Sequence, residues 1–278
     1  MTTASEPHPI TAQLVGLPVD ATPAQRPSPV TLEGRYGRLE RLAQPHDASL
    51  WKAVQGQDHI WTYMSYGPLA DFAAFSAWLA GRVKLEDPYS YAIIDPSGQA
   101  LGIATLMEIR PAMRVIEVGN ILYSPALQRT PLGTEAQYLL ARYAFETLGY
   151  RRYEWKCNAL NAASCRAALR YGFTFEGILR FHMISKERSR DTAYYSMLDS
   201  EWPTRKAAFE RWLAPENFDA QGRQRTSLSE LNAVRELKAD VEACGSERAR
   251  RTAPRLDTAR PLQGAETTCI SSSPARPA

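Results

Sequence analysis

The 278-residue chain has no aromatic residue before Tyr36 and none after Phe218, although aromatics make up 10% of it. Aromatic side chains supply much of the buried area of a protein core. We therefore expect one packed domain, over about residues 32–218. Residues 1–31, rich in Pro, Thr and Ala, are expected to form an extended arm, and the polar residues 219–278 a tail that packs little.

Cysteine and histidine are also scarce, with four of each. Cys157, Cys165, Cys244 and Cys269 show neither metal-ligand spacing nor a disulfide framework. The histidines are scattered along the chain: His8, His46, His59 and His182. The sequence therefore predicts no metal site, and it indicates a reduced, cytoplasmic protein.

Long apolar runs and a strong charge imbalance are missing too. No run approaches the length that crosses a bilayer, and no signal-peptide pattern opens the sequence. A formal net charge of +3, spread over the whole chain, is not typical of nucleic-acid binding. We expect no membrane and no nucleic-acid partner. The oligomeric state is left open between monomer and homodimer.

One helical pattern lies inside the polar tail. Ser227 and Glu230 form a capping-box pattern, apolar residues follow at helical spacing, and Gly245 follows as a stop. The pattern predicts a helix over about 228–243, either docked on the domain or solvated. The basic stretch "ERARRTAPR" and the Ser, Pro and Thr residues beyond it are expected to be disordered and solvated.

The central region alternates between strand and helix patterns. A first strand, "YGRLERL", precedes two helices, "DASLWKAVQ" and "LADFAAFSAWLAGRV", and a three-strand meander, "YSYAIID", "ALGIATLMEI" and "MRVIEVGNILY". A helix over Leu132–Leu148 follows, then a strand, "YRRYEWKCNA", a short helix, "NAASCRAALRYG", a hairpin around "RSR" and a last helix, "TRKAAFERWL". This order predicts a mixed α/β layer.

Two stretches of this region carry candidate chemistry. At "QRTPLG", Thr130 and Pro131 suit the N-cap and first position of a helix, whose free amides can also bind an anion. In "VIEVGN", the charged Glu117 interrupts an apolar strand. It is either a general base or the partner of an ion pair with a neighbour such as Arg114 or Arg110. His182, in "RFHMI", is a lesser candidate for the base.

Two motifs in sequence carry a resemblance. The first is Gln128-Arg129-Thr130-Pro131-Leu132-Gly133; the second is Asn161-Ala-Ala-Ser164, followed by "RYGF" at 170–173. Over about residues 32–213 the chain resembles the GCN5-related N-acetyltransferase (GNAT) superfamily, and within it the ribosomal-protein acetyltransferase-like branch. The resemblance implies an α+β fold in which helices flank a mixed, mostly antiparallel central sheet. It also implies acetyl-CoA as co-substrate, without a metal, and an amine acceptor.

The resemblance implies site residues as well. It assigns the pyrophosphate of acetyl-CoA to the turn at the helix start, with these residues: Gln128, Arg129, Thr130, Leu132, Gly133 and Thr134. Pro131 replaces the first glycine of the family motif, so one amide donor is missing. Asn161 is implied to hold the pantetheine arm, a role that is compatible with capping its helix. Arg166 and Arg170 either reach the coenzyme phosphates or form a solvated face.

The implied reaction needs a base that deprotonates the amine, and Glu117 is the best candidate, working directly or through water. Many members carry a tyrosine acid where this chain has Ala168, and Ser164 is the implied substitute; its alternative is a helix cap. The aromatic loop "HIWTYMSYGP" is implied to cover the acceptor, with Trp61, Tyr63, Met64 and Tyr66 as walls. The alternative for each of these side chains is an aromatic minicore beneath the loop.

The sequence thus predicts an acetyl-CoA-dependent N-acetyltransferase that acts on a primary amine, either a protein N-terminal α-amine or a small molecule. A non-catalytic acyl-CoA-binding module is the alternative, because of Pro131 and the missing tyrosine. A scaffold whose tail helix recruits a partner is a third interpretation.

Overall fold

The computed structural model describes residues 5–233. Two short strands, Ser5–Pro7 (β1) and Leu14–Gly16 (β2), form an exposed hairpin in the N-terminal arm. Eight strands form the main sheet: Leu32–Glu33 (β3), Arg38–Arg41 (β4), Tyr89–Ile94 (β5), Ala100–Arg110 (β6), Val115–Tyr123 (β7), Arg152–Asn158 (β8), Thr174–Ser185 (β9) and Arg188–Leu198 (β10). Their spatial order is β3-β4-β5-β6-β7-β8-β10-β9, and β7 and β8 are parallel while the other pairs are antiparallel.

Helices cover both faces of this sheet. They are Asp47–Val54 (α1), Phe72–Val83 (α2), Pro131–Arg142 (α3), Ala162–Arg170 (α4) and Trp202–Leu213 (α5). One apolar cluster joins Leu50 and Phe75 of α1 and α2 to Leu122 of β7. A larger cluster joins Leu139 and Phe209 of α3 and α5 to the other face. The predicted mixed, mostly antiparallel sheet flanked by helices is confirmed.

The parallel strands β7 and β8 separate in the middle of the sheet. Their pairing ends at Val118 and Trp155, although β7 continues to Tyr123 and β8 to Asn158. Beyond that pair, β8 is bonded to β10 and β7 to β6. The separation opens the sheet between the two strands, directly ahead of α3 and α4.

A bulge in β7 lies at the same place. Strand β6 pairs with Gly119 and next with Leu122, so that Asn120 and Ile121 together occupy one step of the ladder. Asn120 takes a left-handed conformation, with φ of 47°. Bulges redirect side chains and are frequent beside active sites. Nothing in the sequence pattern predicted this one.

The hairpin between β9 and β10 turns one step earlier than predicted. Its turn is Lys186–Glu187, and Arg188 already pairs with Ser185. Both turn residues have positive φ, 49° and 61°, which is the geometry of a two-residue type I′ turn. Asn and Gly favour that conformation, whereas Lys and Glu do not, so the prediction of a turn around Arg188–Arg190 was wrong.

Packing continues beyond Phe218 into the tail. Ser227 and Glu230 form the predicted capping box: the Glu230 amide donates to Ser227 Oγ (3.2 Å), and the Ser227 amide donates to Glu230 Oε2 (2.7 Å). Leu228 and Leu231 belong to the larger apolar cluster. The rest of the predicted helix, and the stretch expected to be disordered, lie outside the described residues. Between residues 5 and 233 no helix is long and apolar enough to span a bilayer.

Candidate active site

Glu117 lies on β7, one residue before the last pair that joins β7 to β8. Its neighbours Ile116 and Val118 are in the larger apolar cluster, so alternation along the strand directs Glu117 to the opposite face, which carries α1 and α2. Only 5% of Glu117 is exposed. Its Oε2 lies 2.8 Å from Lys156 Nζ, and the same ammonium lies 3.1 Å from Glu154 Oε2.

Burial and pairing act on these groups in opposite directions. Loss of hydration raises the pKa of Glu117 to about 7, and the Lys156 ammonium offsets part of that rise. The two carboxylates raise the pKa of Lys156 to about 12, against the effect of its own burial. Lys156 is therefore charged at neutral pH, while Glu117 takes up and releases a proton in the range where a general base works.

The ion pair proposed for Glu117 exists, but with a different partner. Arg110 binds Glu154 (2.6 Å), and Arg114 donates to the carbonyl of Gly149 (2.8 Å). Neither arginine reaches Glu117. The correct partner is Lys156, because the parallel pairing of β7 with β8 places Glu117 beside Glu154, two residues before Lys156 on the same face.

The turn before α3 folds as a capped helix start. Thr130 is the N-cap: its Oγ1 accepts from the Gly133 amide (3.0 Å) and donates to the Leu127 carbonyl (2.7 Å). Pro131 is the first helical residue, as predicted. Gly133 is needed for close packing, since a Cβ there would lie 2.7 Å from the Leu127 carbonyl oxygen and 3.2 Å from the Tyr123 ring.

This start leaves part of its main chain free to bind an anion. The amides of Gly133 and Thr134 are engaged, with Thr130 Oγ1 and the Thr130 carbonyl. Within residues 5–233, the amides of Arg129, Thr130 and Leu132 have no hydrogen-bond acceptor. Arg129 has φ of 61°, which turns the chain into the helix. Of the five main-chain amides predicted to bind the pyrophosphate, three are therefore available as donors. The Gln128 side chain instead donates to the Tyr123 carbonyl (3.0 Å).

Arg170, at the end of α4, lies beside this turn. Its guanidinium donates to Thr134 Oγ1 (3.2 Å) and lies over the ring of Trp212, 4.7 Å from the centroid. Burial lowers its pKa, and no carboxylate in the described part of the chain pairs with it. Arg166, one helical turn earlier, is exposed. The solvated-face alternative therefore describes Arg166 and not Arg170.

The start of α4 combines a cap with an unused donor. Asn161 Oδ1 accepts from the Ser164 amide (3.1 Å), which makes Asn161 the N-cap. The Nδ2 group of Asn161 has no partner among residues 5–233. Ser164 Oγ accepts from Trp155 Nε1 (3.0 Å), at the last residue of β8 that pairs with β7. Ser164 is thereby held at the point where the two strands separate, and no hydrogen bond joins it to Glu117.

The aromatic loop between α1 and α2 is fixed from two sides. The Tyr63 hydroxyl donates to the Leu160 carbonyl (3.1 Å), just before α4. Lys186, at the tip of the β9–β10 hairpin, donates to the Trp61 carbonyl (2.8 Å). Both contacts bring the loop over the region where β7 and β8 separate.

The aromatic side chains of that loop divide between core and surface. Trp61 is only 2% exposed, so the prediction that it walls an open groove is corrected. The Tyr66 ring packs on Trp78, 5.0 Å between centroids, and Met64 also packs against the smaller apolar cluster. These three form the minicore that was the alternative. Tyr63, 38% exposed, remains a candidate to contact an acceptor.

Sequence reasoning missed Lys156 and Lys186. A lysine inside a strand and a lysine in a turn both look like ordinary surface charges. Only strand pairing reveals that Lys156 lies beside two buried carboxylates. His182, the lesser candidate, is hydrogen-bonded to Thr192 Oγ1 (2.9 Å), and its ring meets the edge of Tyr194.

Comparison with known proteins agrees with this geometry. Residues 38–174 match the family model of the acetyltransferase (GNAT) domain. A solved GCN5-related N-acetyltransferase from Brucella melitensis is 47% identical, over 77% of this chain and 99% of its own, with a TM-score of 0.75. A Chromobacterium violaceum structure, described as a probable acetyltransferase of the GNAT family, is 42% identical over 70% of this chain and 100% of its own, with a TM-score of 0.65.

A more distant structure shares the fold alone. It is an acetyl transferase from Salmonella typhimurium that modifies the N-terminal serine of a 50S ribosomal subunit protein, 18% identical over 61% of this chain and 99% of its own, with a TM-score of 0.54. No curated protein matches the chain significantly. Nearly the full length of the Brucella melitensis structure is matched at high identity, and the GNAT domain model covers the sheet from β4 to the start of β9. The chain therefore belongs to the GNAT family of acetyltransferases.

Proposed function

We propose that this protein transfers the acetyl group of acetyl-CoA to a primary amine, and that its preferred acceptor is the α-amine at the N-terminus of a protein. The observation that carries the proposal is the buried Glu117, whose pKa is raised to about 7, at the point where β7 and β8 separate. The ribosomal-protein branch of the family is part of this proposal.

The residues around α3 and α4 fit acetyl-CoA. Three amides without an acceptor among residues 5–233 and the helix dipole at Thr130 suit the pyrophosphate. The guanidinium of Arg170, which pairs with no carboxylate among the same residues, adds a positive charge beside them. The free Nδ2 of Asn161 is a donor for a carbonyl of the pantetheine arm. Acetyl-CoA supplies an activated thioester, whose carbonyl carbon a neutral amine can attack.

Glu117 acts as the base, directly or through one water. It accepts a proton from the acceptor ammonium, which leaves the amine nitrogen with the lone pair that forms the new C–N bond. The C–S bond breaks, and the sulfur leaves as a thiolate that takes up the second proton, which the nitrogen loses as it becomes an amide. A free thiol titrates near pH 8.5, so coenzyme A is a fair leaving group. Ser164, held by Trp155, is the candidate donor of a hydrogen bond to that sulfur.

The choice of acceptor rests on the pKa of its ammonium group compared with the pKa of Glu117. A terminal α-amine titrates near pH 8, about one unit above Glu117, so its deprotonation costs about 1.4 kcal/mol. A lysine side chain near 10.4 is about three units above Glu117 and costs about 4 kcal/mol or more. Proton removal is therefore easier for an α-amine than for a lysine side chain, and small amines of low pKa are the second class of acceptor.

Coenzyme A release across an amine panel tests the proposal. The panel contains peptides with free N-termini, the same peptides N-blocked but containing lysine, and small amines including antibiotics. Release with free N-termini and not with blocked peptides supports an α-amine acceptor. Release with small amines alone makes the protein a small-molecule acetyltransferase. If acetyl-CoA binds and no amine releases thiol, the non-catalytic acyl-CoA-binding module replaces the enzyme.

Replacing Arg170 by methionine is expected to weaken acetyl-CoA binding by about 10- to 100-fold, the range of one hydrogen bond to a charged group. Isothermal titration with coenzyme A and with 3′-dephospho-coenzyme A shows which phosphate Arg170 contacts. If Arg170 binds the 3′-phosphate, the wild type binds coenzyme A more tightly than the 3′-dephospho form, and the variant binds both equally. Arg166→Met, on the same helix but exposed, is the matched control. Equal effects of the two variants would contradict a specific role for Arg170.

Ser164→Ala is expected to lower kcat by about 10- to 100-fold, if its hydroxyl donates to the developing thiolate. Binding of acetyl-CoA should change little, since the Asn161 cap uses the main-chain amide of residue 164 and not its side chain. Trp155→Phe is the matched control, because it removes the indole donor but keeps the serine. If both variants lose the same activity, Ser164 only positions the strand and helix.

A further inference from the structure

Two cysteines lie together beside this site. Cys157 is on β8, and Cys165 is on α4 one residue after Ser164. Their sulfur atoms are 3.6 Å apart, and both thiols are free. The sequence spacing gave no sign of this pair, because the strand-to-helix turn that brings the two residues together separates them by eight positions. The reaction mechanism above uses neither thiol.

We propose that Cys157 and Cys165 are a modification site for hydroperoxides, at which oxidation forms a disulfide and weakens acetyl-CoA binding. The second half of this proposal rests on the function proposed above; the first half does not. A disulfide has its sulfur atoms about 2.05 Å apart, so closing the pair needs an approach of about 1.5 Å. A rotation of the Cys165 side chain, combined with a small movement of the first turn of α4, supplies that approach.

Differences in exposure and electrostatics suit Cys165 to react first with the oxidant and Cys157 to form the disulfide afterwards. Cys165 is half-buried and can meet an oxidant, whereas Cys157 is 6% exposed and protected. Burial raises the pKa of Cys157 to about 12, but the hydroxyl of Ser164 and the positive charge of Arg190 act against that rise. The Nε group of Arg190 is buried and has no hydrogen-bond partner within the described residues 5–233. A negative sulfur at Cys157 would therefore have a cation close by.

The chemistry balances with one hydroperoxide. The Cys165 sulfur attacks the peroxide, the O–O bond breaks, and a sulfenic acid and one water form. The Cys157 sulfur then attacks the Cys165 sulfur: the S–S bond forms, the S–O bond breaks, and a second water leaves with the proton of Cys157. Two thiols and one hydrogen peroxide thus give one disulfide and two waters.

The consequence for the site comes from the short helix that carries Cys165. Asn161 caps this helix and offers its free Nδ2 to the coenzyme, and Ser164 binds Trp155. Pulling Cys165 onto β8 displaces this turn from its present contacts. Loss of the Asn161 contact alone is expected to weaken acetyl-CoA binding by about tenfold.

The experiment uses the full chain with Cys244→Ser and Cys269→Ser, so that Cys157 and Cys165 are the only thiols left. Hydrogen peroxide is added, free thiols are alkylated under denaturing conditions, and intact mass and a non-reducing peptide map are recorded. The expected result is a loss of two hydrogen atoms, no alkylation, and a peptide linked through Cys157 and Cys165. Cys157→Ala should instead accumulate a sulfenic acid on Cys165 that dimedone traps, and Cys165→Ala should resist oxidation.

Isothermal titration with acetyl-CoA, before oxidation, after oxidation and after dithiothreitol, tests the second half. Binding that weakens about tenfold and recovers on reduction supports the proposal. Two alkylated thiols after peroxide overturn it, and so does a disulfide that leaves binding unchanged. If the reduced protein does not bind acetyl-CoA, the proposed function and the proposed loss of binding both fail, while the mass measurement still decides whether the disulfide forms.

Discussion

Glu117→Gln is expected to lower kcat by about 10²- to 10⁴-fold, the usual effect of removing a general base. Glutamine keeps the size of the side chain but cannot accept the proton of the acceptor ammonium. Because burial raises the pKa of Glu117 to about 7, the wild-type rate should fall as the pH drops through about 7, where the carboxyl becomes protonated. In the variant this limb of the pH–rate profile should disappear. Steady-state kinetics from pH 5.5 to 8.5, with one free-N-terminus peptide, measure both effects.

Two results separate this role from a structural one. Acetyl-CoA affinity, measured by titration, should match that of the wild type, since Glu117 lies on the face opposite α3. Glu154→Gln is the matched control, because this neighbour is as deeply buried and also binds Lys156. Its pH–rate profile should keep the acid limb. A Glu117→Gln enzyme that retains near wild-type kcat would show that another group takes the proton.

Lys156→Met is expected to destabilise the fold by about 3–5 kcal/mol near pH 8, the cost of leaving a buried charge without its partner. Lys156 is the cation within ion-pair distance of Glu117 in the described chain, and it also binds Glu154. Without it, the folded-state pKa of Glu117 rises further above its value in the unfolded chain. Urea unfolding, followed by circular dichroism, measures the loss.

The pH dependence of that loss has a defined sign. A carboxyl whose pKa is raised by folding lowers stability at every pH above its unfolded-state pKa, and this penalty decreases once the pH drops below the folded-state pKa. The loss should therefore shrink as the pH falls from 8 to 5. Lys52→Met, an exposed lysine on α1, is the control and should change stability little at either pH. A Lys156→Met penalty that does not depend on pH would mean that lost packing, and not the unpaired carboxylate, causes it.

Local patterns in the sequence were enough to predict most of the order of the strands and helices. Helical spacing in "LADFAAFSAWLAGRV" and the cap at Thr130 and Pro131 are decided by neighbours within a few residues, so they could be predicted for α2 and α3. The capping box at Ser227 is likewise a local hydrogen-bond exchange. The predicted turn at Arg188–Arg190 failed because the observed turn at Lys186–Glu187 places two residues in a backbone conformation that their types do not favour.

Among the site residues, too, those set by local sequence could be predicted, and those set by tertiary contacts could not. Asn161 was predicted both as a cap and as a ligand contact because its position at a strand-to-helix junction is local, and the structure shows the cap. Trp61 was named as a groove wall although it lies in the core, because sequence shows that a loop is aromatic but not which of its rings are buried. The partner of Glu117 was also missed, since it comes from a strand more than thirty residues away.

The sequence by itself determined the order of the strands and helices in the central region and the two motifs that mark a GNAT acetyltransferase. Tertiary structure alone decided that Lys156 pairs with Glu117, that Arg170 lies beside the α3 turn, and that Cys157 contacts Cys165. The physical reason is the separation along the sequence of the residues that interact. Caps, turns and periodicity depend on residues a few positions apart, whereas charge, burial and thiol contact depend on which elements the sheet brings together.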